Sequence, residues 1–296
     1  MNVVGFVLFA QLTVFLAADT KPVTVARIGS ATITTVDVDF LAMQMGLSAD
    51  ERSQMEPKLI DQLIERQLIR GFLAAKKIEP IADDLQYQMS RAEELVRKRG
   101  DDPKTLLPKL GYTPERLKRE LGLPLAWQVY VRQAVKPEQI KEHYAQHKQE
   151  LDGTQLRASQ IFLKLSKPPS DSDLAAKKEK LAEIRRNILA GKITFADAAK
   201  QYSESPTSEN GGDVGLFGWR GKLPAQVSEA AFALKVDEIS EPVVSSFGVH
   251  LIQVTQRVPG DLSLEDVRSE IVERFSQELW KTTVESERAK VKIERK

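Results

Sequence analysis

Two short blocks constrain the fold of this chain more than anything else in it. The first is Gly211-Gly212-Asp213-Val214-Gly215-Leu216-Phe217; about thirty residues later comes Ser246-Phe247-Gly248-Val249-His250. The second block opens a strand in which His250, Ile252 and Val254 alternate onto one face. Gly-Gly-Asp is a common turn and Phe-Gly a common strand opening, so the specificity lies in the segments around them.

Those segments occur in a fixed order. Leu156-Arg157-Ala158-Ser159-Gln160-Ile161-Phe162-Leu163-Lys164 reads as an opening strand, and Gly191-Lys192-Ile193-Thr194-Phe195-Ala196-Asp197-Ala198-Ala199 as a helix with its lead-in. Ala230-Ala231-Phe232-Ala233-Leu234 and Ile239-Ser240-Glu241-Pro242-Val243 then run into the final strand. From Gly153 to Arg257, about a third of the chain, this sequence resembles the parvulin family of peptidyl-prolyl cis/trans isomerases. The resemblance implies a four-stranded antiparallel sheet with surrounding helices.

The flanks have another character. Val23–Ile28 alternates as a strand, Gly29-Ser30 can turn it, and Ala31–Thr34 can return as a hairpin. Thr35 is expected to cap the next helix. Three apolar stripes follow: Leu59, Leu63, Phe72 and Leu73; Leu85, Met89, Ala92, Leu95 and Val96; Leu117, Leu121, Leu125 and Val129. Their spacings put each set on one helical face. Pro103, Pro114 and Pro137 mark helix starts, and Lys136–Gln149 reads as a polar helix. A last amphipathic helix begins at Leu264, and Val291–Glu294 is strand-like.

This layout resembles exported foldases of the SurA and PrsA type. The resemblance implies an α+β chain: a mainly helical chaperone-like module, with a small strand pair, built from both chain ends around an inserted parvulin domain. The expected divisions are 1–19 as signal peptide or N-terminal anchor, 20–150 as helical module, 151–257 as parvulin domain, and 258–296 as a helix and strand packing on the helical module. Val291–Glu294 is expected to pair with Val23–Ile28.

From Val3 to Ala18 the chain is apolar apart from Gln11 and Thr13. That is short for a membrane span and has the length of a signal-peptide core. An exported, extracytoplasmic location follows as the expectation, with a retained anchor or a buried first element as alternatives. The 296 residues include 29% charged and 42% hydrophobic side chains and carry a net charge of +1. A nucleic-acid binder would show a basic surplus. No cysteine is present, which excludes disulfides, thiolate nucleophiles and cysteine-ligated metals.

Family resemblance also assigns a site. Parvulins use a polar cluster with a histidine on the first strand, another on the last, and a cysteine or aspartate. His250 matches the last-strand histidine; Gln160 stands where the other is usual, and Ser205 where the cysteine or aspartate is usual. Leu223 and Val227 match the proline pocket, the latter replacing a phenylalanine, with Gln226 its counterpart if the alignment slips by one. Phe217 and Phe247 are candidate aromatic walls, and Trp219 a one-residue insertion beside them. Leu223 and Val227 also read as ordinary core residues of a helix.

Lys167 alone in its loop argues against specificity for phosphorylated Ser/Thr-Pro. His143 and His147, four apart, have metal-ligand spacing but no third ligand, and read as a solvated face. The implied activity is rotation of X-Pro bonds in unfolded or newly exported polypeptides, without a cofactor, a metal or a nucleic acid. Membrane contact would come only through an uncleaved leader. The alternative is a non-catalytic holdase that keeps the parvulin fold to bind peptide.

Overall fold

The computed structural model describes residues 22–166, 168 and 170–296. The leader expected over residues 1–19 lies outside them. The described residues fall into two compact units, one formed by residues 22–140 together with Ser269–Lys296, the other by Lys141–Arg268.

In the first unit, Thr24–Ile28 (β1) and Ala31–Thr34 (β2) form the hairpin. The C-terminal strand Ile293–Arg295 (β7) pairs antiparallel with β1, Arg27 opposite Glu294, giving the order β2-β1-β7. The tail thus pairs where the resemblance implies, a residue or two further on. Helices follow at Thr35–Gln44 (α1), Ala49–Ala75 (α2), Ala82–Lys98 (α3), Pro103–Lys109 (α4) and Pro114–Ala134 (α5).

The cap of α1 is Thr34, one residue earlier than expected. Its backbone N–H donates to Asp37 Oδ2 at 2.9 Å, closing a capping box. The Thr35 hydroxyl instead accepts the Val23 N–H. A core of Phe40, Leu85, Val96, Leu107, Tyr112, Leu117, Leu121 and Leu125 fills the space between α1, α3, α4 and α5. Leu95, expected on that face, is 40% exposed, because Leu85, Ala92 and Val96 define the buried stripe and Leu95 turns to its rim. From Leu264 to Arg288 runs the last helix (α11); Trp127 on α5 donates to its Ser276 hydroxyl at 2.9 Å and meets Trp280 edge-on.

The polar helix expected over 136–149 is two helices, Pro137–Gln146 (α6) and Lys148–Leu151 (α7). They are broken at His147, whose backbone leaves the helical region. The second unit is built on Gln155–Lys164 (β3), Asp213–Gly218 (β4), Val243–Val244 (β5) and Gly248–Val258 (β6), all antiparallel in the order β4-β3-β6-β5. Asp171–Leu189 (α8) and Phe195–Tyr202 (α9) cover one face, over Ile161, Leu163, Val249 and Leu251. Ala225–Ala233 (α10) covers the other, over Leu156, Ala158, Ile252 and Val254.

The compact unit reaches beyond 151–257 on both sides. Its incoming and outgoing connections are stitched together there: Leu262 N–H donates to Asp152 O at 2.9 Å, and the Tyr144 hydroxyl to Leu262 O at 2.7 Å. Among the described residues no helix is long and apolar enough to cross a membrane.

Candidate functional site

The site grows out of the sheet register. On the β3–β6 pair, His250 stands opposite Phe162, while Gln160 stands opposite Ile252 and so lies diagonal to His250. The His250 ring packs on the Phe162 ring, centroids 4.8 Å apart and planes tilted by 33°. Its Nδ1 lies 3.2 Å from Gln160 Oε1 and its Nε2 2.8 Å from Ser245 Oγ.

Ser205 reaches the same cluster by another route. After α9, the chain runs alongside the end of β3 without joining the sheet. Phe162 N–H donates to Ser203 Oγ at 3.0 Å, Glu204 N–H to Phe162 O at 2.7 Å, and Lys164 N–H to Glu204 Oε2 at 2.7 Å. These bonds hold Ser205 so that Gln160 Nε2 donates to its hydroxyl at 3.4 Å. Ser205 Oγ in turn lies 3.0 Å from Thr207 Oγ1.

The donors can be assigned around this row. A glutamine carbonyl only accepts, so Nδ1 of His250 carries the proton and Nε2 accepts from the Ser245 hydroxyl. Ser205 Oγ already accepts from Gln160 and from Thr207 N–H, so its own hydrogen points to Thr207. The row Ser245–His250–Gln160–Ser205–Thr207 is thus continuous and uncharged. The second N–H of the Gln160 amide has no part in it, and Gln160 is half-buried.

His250 is buried, and that burial pushes its pKa down to about 4. Unfolded, the imidazole titrates near its usual value of about 6.5. The unfolded chain therefore binds the extra proton first, and stability falls as pH drops from about 6.5 to about 4. The full effect is about 3 kcal/mol at 1.36 kcal/mol per pH unit. Urea unfolding of the wild type across that window should show the loss, and His250→Asn should lack it. Parallel slopes for both proteins would count against a buried neutral imidazole.

Of the expected pocket residues, Phe217 and Val227 lie in the apolar layer between sheet and α10, Val227 with no exposed surface. Val227 is therefore core and presents no surface to a ligand. Leu223 and Trp219 are half-buried at the edge of that layer, Trp219 meeting Phe232 edge-on at 4.9 Å. Phe247 stands apart, 64% exposed on the turn before β6. Its N–H donates to Ser245 Oγ at 3.2 Å. Gln226 is exposed.

Sequence reasoning missed Ser245, Thr207 and Phe162. The only signal for Ser245 was its place at the tight Ser-Ser-Phe-Gly turn; Thr207 carried none. The His143 and His147 rings lie 4.4 Å apart, and His147 Nδ1 is 2.8 Å from Glu150 Oε1. Among the described residues no three metal-ligating side chains are grouped to hold an ion.

Comparison with known proteins agrees with this architecture. Residues 161–256 match the PPIC-type PPIASE domain, Rotamase. Residues 161–256 thus form a parvulin-type peptidyl-prolyl isomerase domain, and the chain resembles the PrsA and SurA foldases over part of its length.

Foldase protein PrsA 4 of Bacillus cereus is 34% identical over 191 residues, covering 63% of this chain and 60% of the relative. Chaperone SurA of a Polaromonas species is 41% identical over 117 residues, or 39% of this chain and 24% of that one. The chain therefore spans about three fifths or less of the curated relatives it matches. The crystal structure of the peptidylprolyl isomerase PrsA from Bacillus cereus shares the fold. Its TM-score is 0.51 at 24% identity, covering 87% of this chain and 88% of that one.

Proposed function

We propose that this protein is a peptidyl-prolyl cis/trans isomerase and chaperone that assists the folding of exported polypeptides by rotating X-Pro bonds. The observation that carries the reading is the unbroken row from Ser245 through His250 and Gln160 to Ser205, at the edge of an apolar layer. Kinship with proteins named foldase and chaperone supports the same assignment, as does the leader-like N-terminus for an extracytoplasmic location.

The chemistry asks little of the protein in covalent terms. A planar amide owes its barrier to resonance that places negative charge on oxygen and positive charge on nitrogen. Twisting removes that charge separation. A site that is apolar and uncharged, and that excludes water, therefore favours the twisted amide over the planar one. Leu223 and Trp219 would grip the proline ring, with Phe217 and Val227 behind them and Phe247 as an outer wall. Gln160, fixed by His250 and Ser205, would offer its second N–H to the imide nitrogen as the lone pair localises there.

An uncharged network suits that role without the anion that Ser205 replaces. The same lack of charge at Gln160 and Ser205, together with Val227 in place of a phenylalanine, favours the holdase reading, in which the domain binds peptide without turning it. Refolding of a client limited by X-Pro isomerisation separates the two. The full chain should accelerate the slow phase, and Leu223→Ala should reduce that acceleration about tenfold, as expected for about 1.4 kcal/mol of lost ring contact. Suppressed aggregation with an unchanged slow phase would sink the isomerase.

A further inference from the structure

A single carboxylate on α5 is shared by three guanidinium groups. Arg70 Nη2 lies 3.0 Å from Glu120 Oε1, Arg119 Nε 3.5 Å from the same oxygen, and Arg66 Nη1 3.5 Å from Oε2. One turn earlier on α5, Arg116 holds Asp37 Oδ1 at 2.9 Å, its guanidinium 3.9 Å from the centre of the Phe40 ring. Arg66 and Arg70 share a ridge of α2, and Arg116 and Arg119 a ridge of α5, because residues three and four apart are neighbours on a helix.

Four guanidiniums against two carboxylates leave a surplus of two positive charges in one patch. The whole chain carries only +1. The patch is also partly shielded from water: the side chain of Glu120 is 13% exposed, that of Arg70 22% and that of Arg116 16%. Burial lowers the pKa of Arg70 and of Arg116 from the usual guanidinium value, and repulsion from Arg119 lowers both further.

Donors outnumber acceptors as well. Each guanidinium offers five N–H groups, and the buried Nε of Arg70 and of Arg116 has no acceptor among the described residues. Buried donors without acceptors are costly, and so are like charges held together away from water. A further anion at the outer guanidiniums would relieve the repulsion.

We propose that this patch is a binding site for the carboxylates of an acidic polypeptide segment. Glu120 shows the chemistry the patch accepts: a planar carboxylate held by guanidiniums from two helices, the geometry for which arginine is better suited than lysine. Arg119, half exposed, and Arg66 present the outward donors to an incoming Asp or Glu side chain. The site is independent of the isomerase reading, because all its residues lie in the first unit.

The test uses the full chain and two fluorescein-labelled peptides, deca-glutamate and deca-glutamine, followed by fluorescence anisotropy at low salt. Deca-glutamate should bind and deca-glutamine should not, and 0.5 M NaCl should weaken binding more than tenfold. Arg66→Gln combined with Arg119→Gln should weaken it about tenfold; if the pair perturbs folding, the exposed Arg119→Gln alone should still weaken it severalfold.

Glu120→Gln should tighten binding severalfold by removing the internal competitor, an effect that a merely structural Glu120 would not produce. Equal binding of the two peptides would overturn the proposal, as would unchanged affinity in the folded arginine variants. Displacement of the peptide by micromolar inorganic phosphate would overturn the assignment to carboxylates.

Discussion

Replacing Gly212 by alanine is expected to unfold the second unit or to destabilise it by about 3 kcal/mol or more. Two costs combine there. Gly212 has φ of +82°, where an alanine is strained by about 1–2 kcal/mol. A Cβ at this position would also stand 2.4 Å from Gln160 O and 3.1 Å from Gln160 N, atoms of the central strand that cannot move aside. The paired glycines thus let the start of β4 lie directly against β3, where Gln160 N–H donates to Gly212 O at 2.9 Å.

Gly221 is the control. Its φ is +103°, yet nothing lies within 4 Å of its Cβ position, so Gly221→Ala should cost the backbone strain alone. Urea unfolding of the two variants against wild type measures the difference. Equal losses would show that the close approach to Gln160 is not what fixes the motif.

His250→Ala should lower the rate constant for isomerisation of an X-Pro peptide by tenfold to about a hundredfold. The ring accepts from Ser245 and donates to Gln160, so its removal frees both ends of the row. Loss of positioned hydrogen bonds of this kind costs about 1.5–3 kcal/mol. Because the imidazole stays neutral down to about pH 4, the wild-type rate should be flat from pH 8 to pH 5. A sigmoidal profile with a midpoint near 6.5 would mean that a charged imidazole takes part. Ser245→Ala should lose activity through Nε2.

Much of this site was legible because strands and glycines leave sharp marks. The alternation through His250, Ile252 and Val254 fixes the face on which His250 lies, and the positive φ of Gly211 and Gly212 accounts for the pair. Gln160 was marked by the family resemblance, standing where the first-strand histidine is usual. Ser245 and Thr207 were not, because a hydroxyl in a turn looks the same whether it serves the backbone or a ring nitrogen. Depth was equally hidden: Val227 and Leu223 share a helix start, and only the packing of α10 on the sheet decides that one is covered and the other half-exposed.

Unit edges escaped for a related reason. The crossing near Gly260, whose Cβ position lies 2.0 Å from Asp152 O, is a contact between residues more than a hundred positions apart. Leu95 was counted on a stripe whose rim it occupies, and the cap at Thr34 was placed one residue late, since a helical stripe identifies a face more firmly than its rim or its first residue.

The central claim is that an uncharged row of hydroxyl, imidazole and amide is enough to turn an X-Pro bond. Line-shape or exchange NMR on short peptides varying the residue before proline measures cis/trans interconversion directly, with and without the full chain. Interconversion that quickens in proportion to added protein, and stays at the uncatalysed rate with folded His250→Ala, is the predicted result. Wild-type protein that binds the peptides yet leaves their interconversion at the uncatalysed rate would contradict the claim, and the domain would then be a peptide-binding module.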